Sequence, residues 1–368
     1  MTKEHIVELL SAGEFPGDTG RPELVETHIS WVFLYDRFVY KIKKPIRYSF
    51  LDFSTLEKRK YYCEREIELN KRLTHDIYLD VQPVVEISGR YYIGGQRGEV
   101  VDYAVRMRKL DRSRQMDVLL RQNDVTPSDI RNLAEKIAGF HKASAVIYKK
   151  NVLQIRDEFN DLGNERAYLS AADGAIIDLA IGSSDAFVEA HTALLAERLK
   201  SGFYRDCHGD LHSRNIFLLP DPQPFDCIEF NDEYRQIDVL NEIAFLCMDL
   251  DAFGRPELAD LFLRYYNHVF PAIRSEEDRR LFLYYKSYRA NVRAKVNSLR
   301  ARSADSASAA KIAPDDANKY LADANKYLRI MSGYLESTQE NAVTNKCLLN
   351  HRPAISVTLS NVPYSSNK

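Results

Sequence analysis

The periodicity of this chain changes character once, near Lys109, and that change constrains the fold more than any other feature. Ahead of it, short runs alternate apolar and polar residues with a period of two, interrupted by one long helical stretch. The runs ETHISWVFLY and RFVYKIKK meet at Asp36-Arg37, and Phe38, Tyr40 and Ile42 alternate with Val39, Lys41 and Lys43 until Pro45 ends the strand. STLEKRKYYCEREIELNKRL has helical spacing, with Ser54 or Thr55 to cap it. VQPVVEISGRYYIGG reads as a hairpin turning at Ser88-Gly89, and EVVDYAVRMRKL as a further strand. A short helix, His5 to Leu10, and a Gly/Pro turn region around Phe15–Pro22 precede them.

Beyond Lys109 helical spacing dominates. Thr126-Pro127-Ser128-Asp129 has the form of a capping box with proline at the first helical position, opening a helix through His141. Further helices are predicted over roughly 186–200, 240–252, 256–270 and 276–300, with short strands only at Ile216–Leu219 and Phe225–Phe230. Strands followed by helices predict α+β architecture in two lobes. Residues 1–108 form the strand-rich lobe with one long helix and 109–302 the mainly helical lobe. Residues 303–338 read as a linker and helical extension, and 339–368, rich in Ser, Asn, Thr and Pro, as a disordered tail.

Charge and cysteine usage narrow the function. The 51 basic and 53 acidic side chains leave a net charge of −2, without the basic field a general nucleic-acid binder needs. Five cysteines, an odd number without a CxxC pair, read as reduced thiols of a cytoplasmic protein, too scattered among the histidines to hold zinc. MTKEHIVELLSAGEF lacks the basic and apolar regions of a signal peptide, and no uninterrupted apolar window is long enough to cross a membrane. The expected partner is a small-molecule substrate, with no nucleic acid or membrane and no protein partner indicated.

One stretch carries chemistry: His208-Gly209-Asp210-Leu211-His212-Ser213-Arg214-Asn215. Phosphoryl transfer needs a carboxylate that orients the acceptor hydroxyl and takes its proton, and an oxygen ligand nearby for Mg²⁺; an Asp and an Asn five apart on one loop supply both. Downstream, Phe225-Asp226-Cys227-Ile228-Glu229-Phe230-Asn231-Asp232 brings further carboxylates, 14 positions after Asn215 at Glu229, within a short hairpin's reach of the same metal.

HGDLHSRN followed by IEFN, and then Asp238 and Glu242 with Ile243-Ala244, resembles the catalytic core of the aminoglycoside phosphotransferase-like kinases, within the protein-kinase-like superfamily. The match runs at motif level over roughly residues 25–300, in an uncharacterised bacterial branch. The resemblance implies a two-lobed protein-kinase-like fold and an ATP-dependent phosphotransferase acting on an alcohol, with GTP left open as donor and Mg²⁺ as cofactor. It makes Asp210 the catalytic base, with His208 in the same catalytic stretch, Asn215 a magnesium ligand and Glu229 the principal metal carboxylate; Asp226 or Asp232 is able to share that role. Glu stands at Glu229 where the family has Asp, and again at Glu242.

A kinase of this type holds the phosphates with a strand lysine fixed by a helix glutamate. Lys41 is the first candidate and Lys43 the second, with Glu66 in the following helix. Neither GxGxxG nor GxxxxGK[ST] occurs, so the turn Thr27-His28-Ile29-Ser30, with the Ser30 hydroxyl, is the candidate phosphate loop. Asp102 to Leu110 is the candidate hinge, where Met107 or Arg108 presents backbone to adenine. The alternative is a pseudokinase, a binding or regulatory module that keeps the fold; a protein kinase ranks lower, because DFG and APE segments are absent. Tyr288, Arg289, Arg293, Lys295 and Arg300 crowd a late helix, either as a solvated face or as a face for an anionic substrate.

Overall fold

The computed structural model describes residues 1–17, 20–95, 97–305 and 314–350, with backbone alone at 304–305, 314–316 and 339–350. The end of the chain from 351 and the part of the expected linker at 306–313 lie outside the described residues.

The first lobe begins with α1 (Lys3–Ala12), closed at its start by a Thr2/His5 capping box. The strands β1 (Glu23–Glu26), β2 (Ser30–Leu34) and β3 (Phe38–Lys43) follow, then a two-residue ribbon, β4 (Arg47–Tyr48) with β5 (Leu51–Asp52). Helix α2 (Leu56–Asn70), capped by the Thr55 side chain, leads to β6 (Tyr78–Ile87), β7 (Arg90–Ile93) and β8 (Glu99–Arg108). Six of these strands form one antiparallel sheet in the order β1-β2-β3-β8-β6-β7. Ser88 and Gly89 both take positive φ, 51° and 79°, in the two-residue turn that joins β6 to β7. Such a turn matches the twist of the flanking strands, so the register expected at that dipeptide holds.

The alternation in β3 decides what each face of the sheet can do. Tyr40 and Ile42 are fully buried with Phe33, Ala104 and the α1 residues Ile6 and Leu9. Lys41 and Lys43 therefore point to the opposite face, where α2 packs around Cys63, Val105 and Met107. A helix lying over two strand lysines is the geometric origin of the site described below.

The second lobe is helical: α3 (Met116–Gln122), α4 (Pro127–Ala143), α5 (Gln154–Asn160), α6 (Ala171–Ala190) and α7 (Thr192–Lys200). Three two- to three-residue strands follow, β9 (Tyr204–Asp206), β10 (Ile216–Phe217) and β11 (Gln223–Pro224). Then come α8 (Asp232–Arg235), β12 (Gln236–Asp238), α9 (Val239–Ala252), α10 (Pro256–Val269), α11 (Glu276–Asp305) and α12 (Pro314–Asn350). The Thr126 capping box with Pro127 opens α4 as expected. Ser287 Oγ bonds the Met331 carbonyl, and Arg293 and Arg300 stack on Tyr327 and Tyr320, so α11 and α12 run antiparallel. The chain thus has the two-lobed α+β architecture read from the sequence, a strand-rich part followed by a helical one.

The expected strand at Phe225–Phe230 is a loop instead. Four successive N–H groups leave any ladder: Phe225 donates to Asn215 O, Asp226 to Tyr78 Oη, Cys227 to Asn70 Oδ1 and Ile228 to His208 O. Asp226 itself sits at φ 62°, a conformation that Asp tolerates better than most residues. Backbone and side-chain acceptors from three other segments outweigh the strand propensity of the run.

Arg198 anchors the second lobe. It is fully buried, forks onto Asp238 at 2.6 and 2.9 Å, and reaches Asp278 and the Ala272 carbonyl. Asp238 caps α9 by accepting from Leu240 N, so the same arginine fixes the helix that supports the His208–Asn215 loop. Arg198→Ala would leave two buried carboxylates without their cation, and is expected to lower the unfolding free energy by about 3–5 kcal/mol. A urea midpoint unchanged from wild type would show that Asp238 and Asp278 find other partners.

Candidate active site

Glu66 is the meeting point. It lies on α2 with no exposure, and its two carboxylate oxygens divide between the lysines of β3: Lys41 Nζ at 2.9 Å and Lys43 Nζ at 2.7 Å. Each lysine then reaches into the second lobe, Lys41 to Asp226 Oδ1 at 2.7 Å and Lys43 to Glu229. Burial alone would lower both lysine pKa values; Asp226 with Glu66, and Glu229 with Glu66, overcome it and hold both ammoniums charged. Burial likewise acts against the Glu66 charge, and the two lysines reverse it.

Two ammoniums face three carboxylates here, and the carboxylate in excess is the accessible one. The Asp226 side chain is 43% exposed and that of Glu229 only 4%. Glu229 is thus buried against Lys43, and Asp226 is the more exposed of the two carboxylates. Asp232 is tied to Arg235 at 2.6 Å on α8.

Asp210 and Asn215 are brought together by the loop between β9 and β10. Asn215 Nδ2 donates to the Asp210 carbonyl at 3.1 Å and to Asp210 Oδ2 at 2.9 Å, which leaves Asn215 Oδ1 for another partner. Because Phe225 N bonds Asn215 O, Asp226 follows one residue after the Asn215 contact. Gly209 adopts φ +89°, and an added Cβ would lie 3.0 Å from the Tyr234 carbonyl; glycine is required where the loop turns. Burial would raise the Asp210 pKa, but His212 (Nε2 at 3.4 Å), His208 and Arg293 hold it below the ordinary carboxylate range.

The loop hangs from α9 and α11. Glu242 accepts the amides of His208 and Gly209 at 2.6 and 3.0 Å, Asp249 accepts Ser213 N and Oγ, and Arg289 donates to Gly209 O. Behind it, His141, Cys207 and Glu242 bring one ligand atom each within 4.8 Å of one another, a grouping the scattered cysteines and histidines did not suggest. Both Glu242 oxygens are already engaged by the loop amides.

His208 is a brace for the loop. Its Nδ1 accepts the Asp210 amide at 3.2 Å, so its proton is on Nε2, which donates to the Phe225 carbonyl at 2.9 Å. Ser30 is fully buried with an unpartnered hydroxyl, and the turn is closed by Thr27 Oγ1 accepting Ser30 N at 2.9 Å. Met107 is an inner position of β8, paired with both Val39 and Tyr78, and the Arg108 and Lys109 amides bond the Ile77 and Arg37 carbonyls. These residues are held in or beside the sheet. Among the described residues no helix is long and apolar enough to cross a membrane.

No family model matches the chain. Uncharacterised proteins of Mycobacterium tuberculosis and Mycobacterium bovis are 32% identical over 293 residues, which is 75% of this chain and 54% of theirs; the chain spans about half the length of the curated relatives it matches. Among solved structures, a choline/ethanolamine kinase family protein from Mesorhizobium loti has a TM-score of 0.49 at 12% identity, covering 91% of this chain and 99% of that one. A thermostable aminoglycoside phosphotransferase mutant in apo form has a TM-score of 0.44 at 13% identity, covering 89% and 98%. Wild-type aminoglycoside 2'-phosphotransferase-IIIa with GDP has 0.43 at 12% identity, covering 86% and 94%.

The braced imidazole makes stability depend on pH. Burial lowers the His208 pKa against the pull of Glu242 and Asp210. A lowered folded-state value means the unfolded chain takes up the proton first, so stability falls as pH drops below the unfolded value of about 6.5. Urea midpoints between about pH 7.5 and 5.5 are expected to fall for the wild type and to fall less steeply for His208→Asn. Equal slopes would show that the ring is not the proton acceptor. The chain is similar in sequence to uncharacterised mycobacterial proteins, and its structural neighbours are aminoglycoside phosphotransferases and choline/ethanolamine kinases.

Proposed function

We propose that the chain is a Mg²⁺-dependent phosphotransferase that moves the γ-phosphoryl group of ATP, or GTP, to a hydroxyl of a small-molecule acceptor. The observation that carries this reading is Lys41, whose ammonium meets Glu66 of α2 and Asp226 of the second lobe at once, one residue from the Asn215 contact. An ammonium has three donors; two are engaged by carboxylates, and the third is available to a phosphate oxygen. Lys43, fully buried between Glu66 and Glu229, holds the arrangement without facing the cleft.

Asp210 is ionised and a third exposed, suited to accept a hydrogen bond from the acceptor hydroxyl. The hydroxyl oxygen bonds to the γ-phosphorus as the bond from that phosphorus to the β,γ-bridging oxygen breaks. The proton passes to Asp210 and the nucleoside diphosphate leaves. Asn215 Nδ2 keeps Asp210 Oδ2 in place, so the carboxylate is positioned before the acceptor arrives.

Asp226 and Asn215 Oδ1 fit magnesium, which prefers oxygen ligands from one or two side chains and phosphate. Bound with the nucleotide, it would neutralise phosphate charge. Adenine would dock at the segment that follows β8, on the division between lobes 1–108 and 109–302. A nucleotide donor and four buried, unpaired thiols are consistent with a cytoplasmic setting.

Thermal shifts with and without Mg²⁺ test the reading. Nucleotide at 100 times its dissociation constant adds about 2.7 kcal/mol, a rise of roughly 2–4 °C for a chain of this size. Asp210→Asn is expected to keep this shift while kcat falls by about 10²–10⁴. Asp226→Asn should remove its magnesium dependence, and Glu229→Gln should not. Near wild-type turnover in Asp210→Asn, or magnesium dependence surviving in Asp226→Asn, would overturn these assignments. A magnesium-dependent shift without transfer to any acceptor would favour the regulatory module instead.

A further inference from the structure

The structure sorts the basic and aromatic residues crowded on α11. Tyr288 Oη donates to Glu158 at 2.7 Å, Arg289 Nε to Asn241 Oδ1 at 2.7 Å, and Lys295 pairs with Asp161. These three are committed inside the protein. Arg293 and Arg300 are not: among the described residues no carboxylate lies within 4.0 Å of either guanidinium. Arg293 is only 9% exposed, and its Nε is buried without a hydrogen-bond partner. The partners present are rings of α12, Tyr327 at 5.4 Å from Arg293 and Tyr320 at 5.9 Å from Arg300. Ring faces recover part of the cost of desolvating a guanidinium, and Asp249 and Asp210 favour the Arg293 charge from beyond ion-pair distance.

The two arginines stand beside the transfer site. Arg289 Nη1 bonds the Gly209 carbonyl at 3.1 Å and so fixes the α11 face next to Asp210. Arg293 and Arg300 follow at i+4 and i+11, within about 40° of the same face and about 6 and 16 Å further along the axis. The Arg293 charge is among those that keep Asp210 ionised. Arg300 feels Arg293, Arg214 and Asp210, and across the cleft its charge reaches His28, in the turn before β2. Arg214 belongs to the catalytic loop itself, is 48% exposed, and has a carboxylate only at 3.9 Å, on Asp117. Three guanidinium groups thus gather near one exposed carboxylate, with charges that repel each other and would repel a cationic acceptor.

We propose that the acceptor carries an anionic group, phosphate or carboxylate, besides the hydroxyl it presents to Asp210, and that Arg293 and Arg300, with Arg214, bind that group. This deepens the phosphotransferase reading and rests on it. Guanidinium forks match both kinds of anion through paired hydrogen bonds, and an anion would supply the directly paired partner that no carboxylate gives Arg293 within 4.0 Å among the described residues. Arg293 and Arg300 act here in binding, while Asp210 retains the chemistry.

Calorimetry on the full chain, saturated with Mg²⁺ and a non-hydrolysable ATP analogue, tests this with four probes: inorganic phosphate, glycerol 3-phosphate, glycerate and choline. With the nucleotide site filled, at least one anion is expected to bind at one site and choline not to bind. Arg300→Gln, at a half-buried position, should weaken the anion by about tenfold or more. Arg293→Gln should do the same if its unfolding midpoint shows that it folds. Tighter binding of the phosphates identifies a phosphate-bearing acceptor, and tighter binding of glycerate a carboxylate-bearing one. No anion binding, choline binding as tightly, or affinities unchanged in both variants would overturn the proposal. A missing shift with Mg²⁺ and nucleotide would instead remove the phosphotransferase reading beneath it, so the two failures are distinguishable.

Discussion

One carboxylate shared by two buried ammoniums holds the two lobes in register. Glu66 pairs with Lys41 and Lys43, and each lysine completes its shell with an acid from the second lobe, Asp226 or Glu229. Isolated buried charges are too costly to persist, and neither lysine could stay charged on this face of the sheet without such partners. The position of α2 on the sheet, the course of the Phe225–Glu229 loop and the approach of the lobes are therefore one electrostatic problem with one solution. Its surplus carboxylate, Asp226, is left partly exposed.

The second lobe repeats this logic with backbone in place of charge. Most of the segment between β9 and β10 lies outside any ladder, so its buried amides need acceptors from elsewhere. Glu242 and Asp249 on α9 supply them, and Arg289 on α11 takes the Gly209 carbonyl. Both helices are packed into the main core around Ile243, Leu246, Tyr284 and Tyr285. The precision of the Asp210 carboxylate thus derives from a rigid scaffold whose own anchor, Arg198, lies on α7.

Much of this was legible in the sequence where one local signal dominated. The β3 alternation put Lys41 and Lys43 on one face, Thr55 and Thr126 capped their helices, and Ser88-Gly89 made its turn. The pairing of either lysine with Glu66 was implied by the family resemblance, and both lysines make it. Competing tertiary partners decided the rest. Phe225–Phe230 has the composition of a strand, yet its amides are taken by Asn215, Tyr78, Asn70 and His208. The Ser30 hydroxyl belongs to a turn of the right kind but points into the protein. The sorting of Tyr288, Arg289, Arg293, Lys295 and Arg300 depended on which polar side chains α5, the segment after it and α9 bring near.

The sequence by itself determined the order of a strand-rich and then a helical part, and the elements marked by a clear cap, turn or alternation, because periodicity, caps and turns act over a few positions. Only the tertiary structure decided which acid faces solvent and which is buried. Asp226 and Glu229 are three positions apart in the chain, and their difference arises from lysines some 185 residues away. The backbone reversal at Asp226 turns one carboxylate toward the cleft while the other closes on Lys43. Burial and charge depend on neighbours in space, so the roles of chemically similar residues emerge only when those neighbours are assembled.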